Sequence, residues 1–224
     1  KEAILVIEEA QKIFDNFSFD LIYARPDQSI ESWLNELKFA LQFNTKHLSL
    51  YQLTIEKGTK FFSDFTKGKF KMPSEEISAQ FYEITNEALH IKGLELYEIS
   101  NYAKKSFACK HNLVYWQGGN YLGIGAGAHS RLFFDDDSER SAIMMVHEPN
   151  SWLKKVQENK VGIQTITKTS KEELLEELVL SGLRLVDGIE NKLFYNFFKK
   201  NINEIFDIKK LQNLIEEGLI EINS

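Results

Sequence analysis

The chain has 224 residues, of which 43% are hydrophobic and 27% are charged, as is ordinary for a protein that folds around a hydrophobic core. Its formal net charge of −6 argues against non-specific nucleic-acid binding, which needs a basic surface. The longest apolar runs, such as residues 48–53, are far too short to span a bilayer. A single cysteine excludes an internal disulfide and any iron–sulfur cluster held by three or four thiolates of this chain. It also fits a reducing compartment, which we expect to be the cytoplasm.

The first half of the chain alternates between helical and strand patterns. Apolar residues at helical spacing predict helices, and the short apolar runs between them predict strands. The helices are expected at residues 1–14, 30–41 and 74–92, and the strands at 19–24, 47–55, 94–100 and 121–128. This order is typical of right-handed βαβ units and a parallel sheet, and the glycine-rich fourth strand favours a sheet curled into a barrel.

The ends of the predicted strands indicate where a ligand would bind. In parallel sheets, ligands bind at the carboxyl ends of the strands. Residues 24–27, 55–56 and 100–101 are therefore expected on the functional rim. Because the chain does not begin with Met and opens within a helical pattern, we also expect it to be a piece of a longer protein.

The sequence pattern changes near residues 135–137, which are three consecutive aspartates. Three adjacent carboxylates do not converge in any regular element, so we interpret this run as a solvated turn rather than a metal site. We predict two domains on either side of the change. Residues 1–148 form the C-terminal portion of a (β/α) barrel, and residues 149–224 form a small helical, winged-helix-like domain.

The second predicted domain is mainly helical. A capping box formed by Ser170 and Glu173 opens one of its helices. Further helical patterns cover residues 149–159, 192–199 and 208–217, and a last strand is expected at residues 218–222.

Glycines and chemically versatile side chains are concentrated between Cys109 and His129. Residues 123–128 nominally fit the dinucleotide fingerprint, but no clear helix follows, so a Rossmann site is not predicted. We interpret residues 121–128 as a strand whose glycines share one face. That bare face either packs tightly against a helix or lies under a cofactor, and the sequence leaves both open.

Three further residues are candidates for chemistry. On a helical turn His111 and Tyr115 share a face, where an imidazole could ligate a haem iron while aromatic rings stack on the macrocycle; a structural histidine is the alternative. Asp20 opens a strand, where a carboxylate either caps a neighbouring backbone or binds a ribose hydroxyl. Glu98 is interpreted as part of a salt bridge, with proton transfer as the alternative.

Six segments together resemble the oxygen-independent coproporphyrinogen III oxidase family, and within it the haem-chaperone (HemW-like) branch. The resemblance covers nearly the whole chain, and the His-Asn-x-x-Tyr-Trp signature indicates the chaperone branch. The matching segments are residues 19–23 with Pro26, 47–59, 97–103, 109–116, 121–129 and 183–189. Both branches are radical S-adenosylmethionine (SAM) proteins on a partial (β/α) barrel.

The resemblance implies roles for particular residues. Asp20 matches the aspartate that contacts SAM, and Thr54 and His129 match positions of backbone contacts to the same cofactor. The haem-associated residues of the chaperone motif would be His111, Asn112, Tyr115 and Trp116. No catalytic residue and no metal ligand of this chain is implied.

Two departures from the family pattern affect what the chain can do. The cluster motif C-x-x-x-C-x-x-C is absent, so this chain alone is not expected to hold the family's [4Fe–4S] cluster or to generate a radical. Residues 24–27, Ala-Arg-Pro-Asp, replace Gly-Leu-Pro-Gly, and Asp27 lacks the backbone freedom of glycine.

The resemblance therefore predicts a haem-binding, chaperone-like protein that transfers haem to a client haem protein, for which a membrane-associated protein is one candidate. No nucleic-acid partner is expected. One alternative is an oxygen-independent coproporphyrinogen III dehydrogenase, which converts propionate side chains to vinyl groups with SAM and a [4Fe–4S] cluster. A second alternative is a truncated gene product with no activity of its own.

Overall fold

The computed structural model describes residues 2–134 and 139–222. The chain divides into two compact units, Lys1–Lys110 and His111–Ser224, which are described separately. The predicted domain boundary between residues 148 and 149 stays a prediction. The aspartate run at residues 135–137 lies outside the described residues.

The first unit alternates helices and strands as predicted. Ser29, Thr59 and Ser74 cap three of its helices through side-chain oxygens that accept backbone N–H bonds, which is why these helices begin where they do. In chain order the elements are α1 (Glu2–Ile13), β1 (Asp20–Tyr23), α2 (Ile30–Ala40), a 3-10 turn (Leu41–Phe43), β2 (His47–Gln52), α3 (Lys60–Thr66), α4 (Glu75–His90), β3 (Glu95–Glu98) and β4 (Asn101–Ala103).

The mixed α/β fold class is confirmed, and the sheet of the first unit has the order β1-β2-β4-β3. β1 and β2 are parallel, as expected, whereas β4 pairs antiparallel with both β2 and β3. The single strand predicted at residues 94–100 was wrong in extent, because two residues, Ile99 and Ser100, turn the chain back on itself. Such a short connection permits only an antiparallel pair.

The core of this unit lies on one face of the sheet, under α2 and α4. Trp33 of α2 and Phe81 of α4 are fully buried against Tyr23 of β1, with ring centroids 5.6 and 6.2 Å from the tyrosine ring. The Trp33 indole Nε1 donates to Oγ1 of Thr85 on α4 at 2.8 Å. The two helices are thus joined by a buried hydrogen bond as well as by packing.

The second unit contains a three-stranded antiparallel sheet with strand order β5-β6-β7, together with several helices. The predicted helix at residues 149–159 and the capping box of Ser170 and Glu173 are confirmed. Its elements are α5 (Lys110–Trp116), β5 (His129–Leu132), β6 (Arg140–Met145), α6 (Pro149–Asn159), β7 (Ile163–Thr169), α7 (Lys171–Gly182), α8 (Asn191–Phe198), α9 (Ile202–Ile205) and α10 (Ile208–Glu216).

Two strand predictions in this unit were wrong. Residues 121–128 form no strand apart from an isolated bridge between Tyr121 and Arg131, because Gly125 and Gly127 take φ values of 111° and 70° that interrupt an extended chain. Residues 218–222 form no strand either, since Gly218 turns the chain at the end of α10 with φ 71°.

Among the helices of residues 2–134 and 139–222, none is both long and apolar enough to cross a membrane.

The buried bond between Trp33 and Thr85 yields a stability prediction. Thr85→Val keeps the volume but removes the acceptor, so the indole N–H loses its partner in the core, at a cost of about 1–3 kcal/mol in the free energy of unfolding. Urea denaturation measures this change. Thr66→Val is the control, because Thr66 is exposed and its hydroxyl bonds only the Ser63 carbonyl within its own helix. Equal effects of the two substitutions would contradict the role of the Trp33–Thr85 bond.

Candidate functional site

Polar side chains occupy the face of the first sheet that is opposite the helices. In β2, Leu48 and Leu50 belong to the apolar core, so the alternation of the strand directs His47 and Ser49 to the other face. The pairing register aligns four residues in one row across all four strands, namely Asp20, Ser49, Asn101 and Glu98. We call these four residues the polar row.

The inner part of the polar row is buried and internally bonded. Glu98 is fully buried, and its carboxylate accepts a hydrogen bond from Nδ2 of Asn101. This bond spans the turn between β3 and β4. The neutral amide of Asn101 is thus one partner of Glu98, and the salt bridge expected for Glu98 stays a prediction.

His47 lies beside the polar row and was not singled out from the sequence. Its ring nitrogens are 2.7 Å from Ser18 Oγ and 2.9 Å from the Tyr97 hydroxyl. Burial lowers the pKa of His47, and the negative charges of Asp20 and Glu98 oppose that change. Two hydroxyl partners suit a neutral imidazole, because one ring nitrogen donates and the other accepts.

Asp20 lies at the exposed end of the polar row. It lines a groove of about 480 Å³. The rest of the lining is Leu21, Ile22, Arg25, Pro26, Glu36, Leu53 and Phe61. An exposed carboxylate in a groove is suited to accept hydrogen bonds from the hydroxyls of a ligand such as a ribose.

The loop that follows β1 adopts a glycine-like backbone without glycine. Ala24 and Asp27 have φ values of 54° and 58°, in the left-handed region, at the two positions where the resembled family has glycine. This conformation costs a non-glycine residue roughly 1–2 kcal/mol. Arg25 forms a two-point ion pair with Glu36 of α2, which ties the loop to the helix.

Thr54 lies in the exposed segment after β2. The residue of β2 that pairs with Asp20 is Ser49, five positions before Thr54. At the rise of an extended chain, five residues span roughly 16 Å. A cofactor that touches both Asp20 and Thr54 would therefore have to lie along the strands.

In the second unit, the expected pairing of His111 and Tyr115 on one helical face is confirmed. The two residues lie one turn apart on α5, and their rings meet edge to face with centroids 4.8 Å apart. The Tyr115 ring is also 4.3 Å from that of Tyr121. His111 itself is exposed, so its imidazole is accessible to a ligand.

Asn112 and Trp116, the other residues of the predicted haem motif, are half-buried on the same helix. The guanidinium of Arg184 lies over the Trp116 ring, 4.4 Å from its centroid. His111 and Tyr115 thus share one face of α5, and the Trp116 ring is partly covered by Arg184.

A second concavity of about 270 Å³ adjoins these aromatic rings. Arg131 of β5 forms a two-point ion pair in it with Glu177 of α7, at 2.8–3.2 Å. The lining residues are Tyr115, Trp116, Gly118, Tyr121, Arg131, Arg140, Glu177, Leu178 and Ser181. Sequence reasoning missed the two arginines and Glu177, because residues 46 positions apart carry no local pattern.

Of the glycines in residues 121–128, Gly123 packs closely against backbone, whereas a Cβ at Gly125 would meet open space. A Cβ at Gly123 would lie 2.2 Å from the carbonyl oxygen of His129, so only glycine allows this approach. At Gly123 the structure shows tight packing, and the partner is the neighbouring strand β5 rather than a helix. His129, the third residue predicted to contact SAM, is exposed at the start of β5.

The described residues contain no group of three or more His, Cys, Asp or Glu side chains that could hold a metal ion. Cys109 is the one cysteine of the chain, and its backbone N–H lies 3.3 Å from the Tyr97 hydroxyl. These residues do not fit a cluster that requires three thiolates.

Comparison with known proteins agrees with the resemblance found in the sequence. The HemN C-terminal domain matches residues 169–224. Nearly the whole chain is similar to the heme chaperone HemW of Bacillus subtilis, with 31% identity over 98% of this chain and 56% of the relative. The chain is thus similar to HemW over nearly its whole length and to the HemN C-terminal domain over residues 169–224.

A second relative shows a similar extent of similarity. The mitochondrial radical S-adenosyl methionine domain-containing protein 1 of Danio rerio is 34% identical over 95% of this chain and 50% of its own length. The chain thus spans about half the length of the curated relatives it matches. The fold is similar to that of Escherichia coli coproporphyrinogen III oxidase (HemN), a radical SAM enzyme, with a TM-score of 0.68 at 19% identity, over 99% of this chain and 53% of HemN.

The buried His47 predicts a pH dependence of stability. Because burial holds its folded pKa below the unfolded value of about 6.5, the unfolded chain binds the proton more readily. The contribution of neutral His47 to the free energy of unfolding is fully present above a pH of about 6.5. This contribution decreases as the pH falls from there through the folded pKa. We expect His47→Gln to flatten the decrease in urea midpoint measured over this range. His147→Gln, which changes an exposed histidine, is the control and should leave the slope intact.

Proposed function

We propose that this chain is the haem-binding part of a HemW-like haem chaperone. The observation that carries the proposal is the helix α5, on which an exposed His111 lies edge-on to Tyr115 within a cluster of aromatic rings. The relatives named heme chaperone, which match nearly the whole chain, support the same function.

Different residues of α5 would make different contacts with haem. A neutral imidazole at His111 would supply its lone pair to the haem iron, and the exposure of His111 leaves room for a macrocycle. Tyr115 and Trp116 would pack their rings against the flat apolar face of the porphyrin. Asn112 follows His111 on the same helical turn, and its side chain would orient the His111 imidazole by hydrogen bonding.

An accessible haem ligand suits a carrier. A protein that transfers haem must release it, so the iron should be held by few bonds at a surface rather than enclosed in a core. We infer a client haem protein as the recipient, and the choice between a soluble and a membrane-associated client stays a prediction. The cytoplasmic location also stays a prediction, since several relatives carry the word mitochondrial in their names.

SAM is the second ligand that the resemblance implies. Its bound sulfonium supplies the radical chemistry of the family in the presence of a cluster, for which this chain does not supply the thiolates. Asp20, Thr54 and His129 are the contacts that the resemblance implies, and we propose each of them. The groove beside Asp20 supports the first of these, because it exposes a carboxylate to a ribose.

Haem titration tests the proposed function. Adding haem to the chain should produce a Soret band of histidine-ligated iron, and His111→Ala should shift this band and weaken the affinity about tenfold or more. His90→Ala is the matched control, because His90 is also an exposed histidine but lies in the first unit. Identical titrations of wild type and His111→Ala would contradict the assignment of His111.

Binding of SAM tests Asp20 separately. Asp20→Asn removes the charge of a hydrogen-bond acceptor, which corresponds to a loss of roughly tenfold in SAM affinity, measured by isothermal titration calorimetry. Asp15→Asn changes a nearby exposed carboxylate and serves as the control. If Asp20→Asn binds SAM as tightly as wild type, Asp20 does not contact the ribose.

A further inference from the structure

The concavity beside Tyr115 contains an arginine that shares its single counter-charge with a second arginine. Arg140 of β6 is only 3% exposed, and its Nη2 donates to the Gly119 carbonyl at 2.7 Å. The nearest carboxylate oxygen, Oε2 of Glu177, is 3.7 Å from Nη1. Glu177 already accepts two-point hydrogen bonds from Arg131, so one carboxylate faces two guanidinium groups. The concavity therefore has a net positive charge.

Two buried donors in this lining have no acceptor among the described residues. They are Nε of Arg140 and Nε1 of Trp116. A buried N–H without a partner is unfavourable, and it is commonly satisfied by water or by a ligand. Both groups donate and neither accepts, so the complementary ligand atom is an oxygen with free lone pairs. Together with the net positive charge, this indicates an anion, and a carboxylate has the geometry that guanidinium groups bind best.

The size and position of the concavity restrict which carboxylate fits. Its volume of about 270 Å³ lies below the roughly 300–1,000 Å³ of pockets that hold a whole drug-sized ligand, so it accommodates a side arm rather than a macrocycle. Tyr115 both lines the concavity and contacts His111. An arm of a molecule seated on His111 can therefore reach the arginines.

We propose that this concavity binds a propionate carboxylate of the haem that His111 ligates, with Arg140 as the principal partner and Trp116 Nε1 as a second donor. The inference rests on the proposed haem-binding function and adds a specificity to it. Recognition of the propionate would fix the macrocycle in one orientation on α5 and would select porphyrins with free acid side chains.

Esterified haem tests this inference, because haem dimethyl ester keeps the iron and macrocycle but has no propionate charge. The full chain should bind haem at least about tenfold more tightly than the dimethyl ester, measured by Soret titration in the same detergent-containing buffer. Arg140→Gln should bring the ratio of the two affinities close to one, whereas Arg140→Lys should retain part of it. Lys154→Gln, which removes an exposed cation elsewhere in the second unit, should leave the ratio unchanged.

A second variant keeps the test decisive if Arg140→Gln does not fold. Trp116→Phe retains an aromatic ring but loses the N–H donor, so it should reduce the preference for haem over its ester. Trp152→Phe is its matched control, because Trp152 also buries an unpaired indole N–H but lies outside the concavity. Circular dichroism establishes that each variant is folded.

The outcomes separate this inference from the proposed function. Equal wild-type affinity for haem and its ester, with His111→Ala still weakening both, would overturn propionate binding and leave haem binding intact. A preference for haem that persists in folded Arg140→Gln and Trp116→Phe would also overturn it. Failure of the wild-type chain to bind either porphyrin would overturn both the function and the inference.

Discussion

The packing of Trp33 between Tyr23 and α4 is the interaction on which the first unit depends. It commits one face of the sheet to the apolar core, with its indole N–H satisfied by Thr85. Because side chains alternate along a strand, the same commitment directs Asp20 and Ser49 to the opposite face. The polar row is therefore a consequence of how the core is packed. A shift of one residue in the pairing of β1 and β2 would turn the Asp20 carboxylate toward the leucines of the core.

In the second unit, the charged groups of the concavity come from distant parts of the chain. Arg131 and Arg140 come from neighbouring strands, and Glu177 comes from the helix that follows the sheet. The antiparallel sheet carries the two arginines to the concavity beside the aromatic residues of α5. The exposed His111 and the positively charged concavity thus lie in the same unit, and Tyr115 contacts the first and lines the second.

Sequence patterns correctly predicted the features that depend on interactions between residues close in the chain. The helix of Trp33, the capping box of Ser170 and the shared face of His111 and Tyr115 follow from spacing and hydrogen bonding within a few residues. The β3–β4 turn was missed because residues 94–100 mix apolar and polar side chains as a single strand does. The reversal is stabilised by the hydrogen bond from Asn101 to Glu98. Residues 121–128 alternate glycine with apolar residues as a strand does, but positive φ values at Gly125 and Gly127 interrupt the extended chain. The concavity with Arg131 and Arg140 arises from tertiary contacts alone.

Ala24 and Asp27 have a further consequence for the groove beside Asp20. Glycine would occupy their left-handed conformation more easily, but it would also have more conformations available to it when unfolded, so the net difference in stability is smaller than the local strain. A loop with side chains at both positions, and with Arg25 anchored to α2, has few alternative conformations. The edge of the groove is therefore stiff, and a ligand that binds there meets a preformed wall instead of one that must be ordered on binding.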